Sequence, residues 1–324
     1  MIVFGLEGTA WNLSAALADE QGVIYEKSAT YTPARGGIHP REAAQHHAEN
    51  MPKVVGEVVG QAREQDLKID AIAFSQGPGL GPCLRTVATA ARALSLHFSL
   101  PLLGVNHCVA HIEVGKWQSG ASDPAVIYVS GANSQVLALR QGRYRIFGET
   151  LDISVGNAID KFARSVGLAH PGGPKVEELA RSAKQYIPLP YTVKGMDLSF
   201  SGLSTAATQA AKKYDLADVC YSLQETAFAM LVEVTERAMA HAEKKEAMLV
   251  GGVGANKRLG EMLNIMCEER GARFFLPPRK FMGDNGSMIA YTGLLMLKSG
   301  VRTPLEESKV RPGYRTDEVR VTWG

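Results

Sequence analysis

The stretch Ile2–Ala10, IVFGLEGTA, decides the fold, because an apolar strand runs there into a glycine turn and continues as a second strand at Leu13–Leu17. The same arrangement recurs at Val126–Ser134, VIYVSGANS, which continues into Val136–Leu139. Each copy predicts a β-hairpin, and the repeat predicts a duplication. Adjacent N–H groups in such glycine turns can bind an anion, so the pair either cradles the phosphates of a nucleotide or forms two ordinary tight turns.

Strands and helices alternate after the first hairpin. A helix is predicted to end near Gln65, and a buried strand follows at Ile69–Ser75. The loop Gln76–Pro82 is rich in glycine and proline, and it either wraps a ligand or turns the strand into the next helix, Thr86–Leu96. A further strand at Leu102–Val105 completes a pattern typical of α/β proteins.

Composition favours a globular protein with two lobes. The chain has 324 residues, of which 45% are apolar and 21% charged. It has no apolar run long enough to span a membrane and no signal peptide at its N-terminus, so we expect a cytoplasmic protein. Its four cysteines are scattered, which predicts reduced thiols in the core. Lys plus Arg number 35 against 33 Asp plus Glu, a balance that neither demands nor excludes nucleic acid.

The segment Asn106–Glu113, NHCVAHIE, contains two histidines four residues apart. On a helix, His107 and His111 would lie on the same face and could coordinate one metal ion. The peptidase form of this spacing has glutamate directly after the first histidine as general base, whereas this chain has Cys108. The spacing alone leaves a metal site and ordinary helix residues as equal alternatives.

The second half contains three loop-to-helix junctions, at Gly156–Lys161, Pro171–Glu177 and Val250–Arg258. Helix N-termini attract anions, although none of these junctions has the spacing of a dinucleotide fingerprint or a P-loop. Further on, Asp284 precedes a predicted helix at Ser287–Leu297. It is therefore either the N-cap of that helix or a metal ligand.

Several motifs together resemble one family, the universal tRNA threonylcarbamoyladenosine transferases, formerly called O-sialoglycoprotein endopeptidases. The motifs are Glu7–Thr9, Ser75–Pro82, Asn106–His111, Tyr128–Gln135, Gly172–Lys175, Met196–Gly202 and Gly251–Asn256. The resemblance covers essentially the whole chain, and the variant is similar to the archaeal and eukaryotic form, the catalytic subunit of the KEOPS complex.

This resemblance implies an α/β fold of the actin, hexokinase and heat-shock ATPase superfamily. Two duplicated ribonuclease-H-like lobes would have a nucleotide site between them. We expect residues 1–122 to form the N-terminal lobe, completed by part of the C-terminal segment, and residues 123–324 to form the C-terminal lobe.

The resemblance also implies transfer of a threonylcarbamoyl group from threonylcarbamoyl-AMP to N6 of the adenosine at position 37 of tRNAs that read ANN codons, with release of AMP. No side chain is assigned as a nucleophile, because the adenylate is already activated. The positions that match the family's metal ligands are His107, His111, Tyr128 and Asp284. One divalent ion is implied there, with iron favoured and zinc a further candidate.

Motif matching further implies contacts to an adenine nucleotide. The matching positions are Tyr128, Val129, Ser130, Gly131, Ala132, Asp160, Gly173, Glu177 and Asn256. The family usually has a second glycine where this chain has Ala132. Its methyl group is predicted to narrow the turn or to require a negative φ.

The implied partners are tRNA, a small kinase-like ATPase, a small dimer-forming subunit and further KEOPS subunits, with no membrane. We interpret His39, His46 and His47 as surface residues, with support of tRNA or metal as the alternative. Six basic residues either bind the tRNA backbone or are plain surface, namely Lys161, Arg164, Lys175, Lys194, Arg279 and Lys280. The competing functional hypotheses are a metallopeptidase, a sugar kinase and a non-catalytic nucleotide-binding scaffold.

Overall fold

A computed structural model describes residues 1–33 and 37–323. Its contacts divide the chain into one unit of Met1–Val114 with Gly283–Gly324 and a second unit of Gly115–Met282. The lobe boundary after residue 122 stays a prediction. No helix in the described part of the chain is long and apolar enough to cross a membrane.

The elements alternate between strands and helices along the chain. The first are β1 (Val3–Glu7), β2 (Asn12–Ala18), β3 (Val23–Thr30), α1 (Pro40–Glu64), β4 (Ala71–Gly77), α2 (Gly81–Phe98), β5 (Leu102–Asn106) and α3 (His107–Ser119). Then come β6 (Ala125–Val129), β7 (Ser134–Arg140), β8 (Arg143–Glu149), α4 (Val155–Ser165), α5 (Gly172–Ala180), β9 (Val193–Lys194), β10 (Asp197–Leu198), α6 (Ser201–Ala210), α7 (Leu216–Ala242), β11 (Glu246–Val250), α8 (Lys257–Glu269), β12 (Arg273–Phe275) and α9 (Gly286–Lys298).

The two units repeat one sheet topology. The first has a five-stranded sheet in the order β3-β2-β1-β4-β5, and the second has the order β12-β11-β6-β7-β8. In each sheet an antiparallel meander supplies three strands, β1-β2-β3 or β6-β7-β8. Two parallel strands, β4-β5 or β11-β12, then extend the sheet beside the first strand of the meander. The predicted α/β fold with duplicated ribonuclease-H-like halves is confirmed.

Helix α1 shows how a sequence pattern places one face against the first sheet. It begins at Pro40, where a missing N–H costs nothing, and buries a stripe that includes Ala43, His47 and Met51. The surface prediction is therefore wrong for His47, which is fully buried, whereas His39 is exposed and His46 is half-buried. The helical period carries His47 inward with its apolar neighbours.

Helix α2 begins earlier than predicted. It starts at Gly81 instead of Thr86, because Pro82 in its first turn is compatible with a helix start and does not delay it. The cysteine prediction is confirmed, since all four cysteines are buried without a disulfide. Burial raises the pKa of the Cys83 thiol to about 11, which keeps that thiol protonated and inert.

The backbone of α9 lies directly on β1 and β2. A Cβ added at Gly5 would lie 2.3 Å from the backbone nitrogen of Ala290 and 2.6 Å from the carbonyl oxygen of Gly286. One added at Gly286 would lie 2.7 Å from the carbonyl carbon of Ala15. Only glycine permits this approach, and it fixes the first turns of α9 against the middle of β1.

We expect Gly5→Ala to lower the free energy of unfolding by about 1–3 kcal/mol, because α9 must shift away from β1. Urea denaturation measures the loss. Gly56→Ala in α1 is the matched control, since its Cβ would meet no described atom within 4 Å. That control should gain roughly 0.5–1 kcal/mol. Equal stability of Gly5→Ala and wild type would contradict the close packing of α9.

Candidate metal centre and nucleotide-binding turns

The two histidines occupy the start of α3, directly after β5. The side-chain oxygen of Asn106, the last residue of β5, accepts a hydrogen bond of 3.1 Å from the N–H of Val109 and so caps the helix. His107 and His111 then project from one face and are buried, with exposed fractions of 7% and 1%. Their rings lie edge to face with centroids 4.8 Å apart.

The third component comes from the start of α9. Asn285 is its N-cap, since its side chain accepts the N–H of Met288, so the N-cap interpretation of Asp284 is wrong. The carbonyl oxygen of Asp284 accepts a 2.8 Å hydrogen bond from Nδ2 of Asn12. The Trp11 side chain hydrogen-bonds the Asp284 carboxyl group. These contacts leave the carboxylate directed at the histidines and not at its own helix.

His107, His111 and Asp284 converge in the first unit. Oδ1 of Asp284 lies 3.2 Å from Nε2 of His111 and 3.5 Å from Nε2 of His107. One ligand atom from each residue falls within 4.8 Å of the others. A tetrahedral ion with bonds of about 2.0–2.1 Å separates its ligands by about 3.3 Å. The two distances to Asp284 match that value, and a small side-chain shift that brings the two imidazoles together would complete the fit.

Electrostatics also favour a cation at this place. Burial alone would lower the pKa of His107, but the carboxylates of Glu7 and Asp284 outweigh it and raise that pKa to about 9. Burial lowers the pKa of His111, and the charge of His107 adds to that effect. Burial opposes ionisation of Asp284, yet the charge of His107 and the hydrogen bond to His111 lower its pKa. The centre therefore holds positive charge between two carboxylates.

Tyr128, the remaining predicted metal ligand, lies on β6 in the second unit and is fully buried. The turn that follows it is held by Ser130, whose Oγ accepts the N–H groups of Ala132 and Asn133 at 3.2 and 3.0 Å. Gly251, with a φ of 92°, packs on this turn, since a Cβ there would lie 2.3 Å from the carbonyl oxygen of Val129. Tyr128 and the turn are thus fixed by tight backbone packing within the second unit.

Ala132 does not strain this turn. It is absent from the residues with positive φ in the described part of the chain, and its side chain is exposed. The backbone satisfies the predicted requirement for a negative φ at this position.

The other predicted nucleotide contacts surround the starts of α5 and α8. Asp160 on α4 accepts the N–H of Gly172 at 2.7 Å, immediately before Gly173. Glu177 on α5 accepts the N–H of Lys257 at 3.1 Å. Asn256 caps α8 through its oxygen and donates to Gln224 through Nδ2 at 2.8 Å. One network therefore joins α4 to α5 and another joins α5 to α8.

A cavity of about 660 Å³ opens beside this second network. Its lining combines carboxylates with cationic and aromatic side chains, including Glu177, Gln224, Lys257, Arg258 and Tyr186. This volume and polarity suit a nucleotide-sized ligand. The six basic residues predicted as tRNA contacts are all exposed and all belong to the second unit.

The sequence pattern did not identify Glu7 and Trp11 as neighbours of the metal group. From the sequence, Glu7 was interpreted only as part of a glycine turn that could bind phosphate. The available signal was its place at the end of an apolar strand, where a carboxylate becomes buried and requires a partner. Trp11 carried no such signal, because its contact with Asp284 joins residues far apart in the chain.

Known proteins resemble this chain closely. Residues 22–291 match the model of the family described as tRNA N6-adenosine threonylcarbamoyltransferase. A protein of that name from Methanothrix thermoacetophila is 78% identical over 100% of both chains. A probable bifunctional tRNA threonylcarbamoyladenosine biosynthesis protein from Methanosarcina mazei is 65% identical over 99% of this chain and 59% of its own length.

Among solved structures, the crystal structure of T. kodakarensis HypF matches with a TM-score of 0.65. The match covers 93% of this chain and 48% of HypF at 16% sequence identity, so it supports the fold alone.

The buried His47 predicts how the free energy of unfolding depends on pH. Burial, reinforced by the charge of His46, lowers its pKa to about 4. An unfolded histidine titrates near 6.5, so between these values the unfolded chain binds more protons and the free energy of unfolding falls as the pH falls. Above about pH 6.5 this contribution no longer changes.

We expect His47→Gln to flatten this dependence by up to about 1.4 kcal/mol per pH unit between pH 6.5 and 4. Urea denaturation across that range compares it with His97→Gln, which alters an exposed histidine at the end of α2. Identical pH slopes for His47→Gln and wild type would show that His47 does not titrate as a buried neutral base.

Proposed function

The chain belongs to the tRNA N6-adenosine threonylcarbamoyltransferase family, and we propose that His107, His111 and Asp284 hold the divalent metal ion used in this transfer. It is a transferase that modifies tRNA. The observation that carries the proposal is the convergence of two imidazole nitrogens and one carboxylate oxygen at distances that suit a single ion. Both histidines are buried and Asp284 is only partly exposed, which limits the access of competing water to such an ion.

The donor is threonylcarbamoyl-AMP and the acceptor is N6 of adenosine 37 in tRNAs that read ANN codons. A bond forms between N6 and the carbamoyl carbon, the bond from that carbon to the phosphate oxygen breaks, and N6 loses a proton as AMP leaves. When bound, the metal ion supplies Lewis-acid stabilisation of developing negative charge. The protein's own residues bind and orient the two substrates. No nucleophilic side chain is required, because the donor is already activated.

The ligand set selects a borderline cation. Two imidazoles and a carboxylate suit Fe²⁺ or Zn²⁺ better than Mg²⁺ or Ca²⁺, and we favour iron. Tyr128 completes the proposed set by its match to the family. Tyr128→Phe tests it separately from the other three.

The nucleotide part of the donor is assigned to the second unit. Ser130 organises the turn Tyr128–Ala132 for the phosphate, while Asp160 and Glu177 each keep a carboxylate oxygen that could accept a ribose hydroxyl. Gly173 lies in the first turn of α5, and Asn256 fixes the start of α8. The cavity beside Glu177 supports this assignment by its size and polar lining.

The partners follow from the family. We assign this chain as the cytoplasmic catalytic subunit of a KEOPS-type complex with a small kinase-like ATPase, a small dimer-forming subunit and accessory subunits. The exposed basic residues of the second unit are assigned to the tRNA backbone, where each phosphate contact releases counterions and makes binding sensitive to salt.

Removing a metal ligand should weaken metal binding and lower the rate of transfer. We expect His111→Ala and Asp284→Ala to lose at least about tenfold in metal affinity, because each removes a ligand from a compact set. Calorimetry with Zn²⁺ measures the affinity. Transfer of labelled threonine to unmodified ANN-reading tRNA, with donor and partner subunits supplied, measures activity.

The control is His97→Ala, which removes an exposed histidine and should leave both quantities unchanged. Full transfer by His111→Ala after chelation would leave the family activity standing and exclude the metal mechanism. Loss of transfer with intact metal binding would instead assign these residues to substrate contact.

Nucleotide binding separates the second assignment from the first. We expect Glu177→Gln to weaken AMP binding by about tenfold or more, because a hydrogen bond to a charged group contributes about 1.5–3 kcal/mol. The adjacent exposed Glu178→Gln is the control and should bind AMP as wild type does. Ala132→Gly should change AMP affinity little, since Ala132 already has a negative φ. A large gain on Ala132→Gly would show that the methyl group obstructs the phosphate.

A further inference from the structure

Glu7 is a fully buried carboxylate that the proposed metal ligands do not include. It ends β1, and both of its oxygens are engaged. Oε1 accepts the N–H of Thr9 at 2.8 Å and the hydroxyl of Thr9 at 2.7 Å. Oε2 lies 3.2 Å from Nδ1 of His107. A buried charge costs several kcal/mol unless it is paired, so this arrangement calls for a role.

The contact determines which nitrogen of His107 is available. A neutral imidazole donates from one nitrogen and accepts at the other. Once a metal ion displaces the proton from Nε2, the Glu7 carboxylate facing Nδ1 keeps the remaining proton on Nδ1 and leaves the Nε2 lone pair for the ion. That Nε2 is the nitrogen that lies 3.5 Å from Oδ1 of Asp284. Glu7 thereby selects the tautomer and the ring orientation that can bind a metal ion.

Thr9 holds Glu7 in this position. Its hydroxyl donates to Oε1 and lies 3.3 Å from Nδ1 of His107, so it contacts both the carboxylate and the ring. Because Thr9 occupies one carboxylate oxygen, the other remains directed at the histidine. The formal charges also balance, since a divalent cation would neutralise Glu7 and Asp284 together.

We propose that Glu7 is the positioning residue of the metal centre, a carboxylate that orients His107 and raises metal affinity without touching the ion. This inference rests on the proposed assignment of His107, His111 and Asp284 as ligands. It assigns to the first glycine turn a role in building the metal site, in addition to any role toward phosphate.

The test uses the full chain and Zn²⁺ in competition with a chromophoric chelator. Glu7→Gln should weaken Zn²⁺ binding by roughly 10–100-fold, the usual effect of losing an outer carboxylate. Its Co²⁺ complex at saturation should keep the absorption bands of wild type, because the ligands are unchanged. Transfer activity should recover when excess metal is supplied.

Glu246→Gln is the matched control. Glu246 is also a buried carboxylate, and it accepts the N–H groups of Ser122 and Asp123 at 2.8 and 3.0 Å in the second unit. Its loss should leave Zn²⁺ affinity within about twofold of wild type, since its partners Ser122, Asp123 and Arg273 include none of the proposed ligands. Thr9→Val, which removes only the hydroxyl that holds Glu7, should shift affinity in the same direction as Glu7→Gln and keeps the test valid if Glu7→Gln misfolds.

The outcomes distinguish the positioning role of Glu7 from the assignment of the metal ligands. Zn²⁺ binding by Glu7→Gln as tight as by wild type would overturn the positioning role and leave the ligand set intact. Failure of wild type itself to bind Zn²⁺ or Co²⁺ would overturn the ligand set and this inference together. A Co²⁺ spectrum altered in Glu7→Gln would also overturn the inference, because it would place Glu7 among the ligands.

Discussion

The contact of α9 with β1 through Gly5 is the constraint on which the metal centre depends. Asp284 precedes α9, whereas His107 and His111 follow β5, and only the packing of α9 against the sheet brings the carboxylate to the imidazoles. A side chain at residue 5 would meet backbone atoms, which cannot rotate away. One glycine therefore sets a distance between residues that are far apart in the chain.

The start of α9 is fixed by polar contacts as well as by packing. Glu26 on β3 accepts the N–H of Ser287 at 3.1 Å, and Ser14 on β2 accepts the N–H of Gly286 at 2.9 Å. Together with the cap from Asn285, these bonds satisfy N–H groups that a helix start leaves without partners. Asp284 is therefore not needed as a cap of α9, and its carboxylate contacts the histidines instead.

Burial strengthens the electrostatic interactions within the metal centre. Carboxylates and imidazoles removed from water interact strongly, and the raised pKa of His107 expresses how strongly the site prefers a positive charge. A metal ion would supply that charge and would displace the proton from Nε2 of His107. The same fold occurs in HypF, which shares little sequence with this chain, so the chemistry resides in these side chains and not in the sheet topology.

The sequence by itself determined the duplicated hairpins, the alternation of strands and helices and the two-histidine helix, because each depends on residues close together in the chain. Its motifs also identified the family, and the comparisons confirm that membership. Tertiary structure alone decided that Asn285 and not Asp284 caps α9, that His47 is buried, and that Glu7 faces His107. Those facts depend on which strands become neighbours and how closely a helix packs on them, and local patterns contain no measure of such distances.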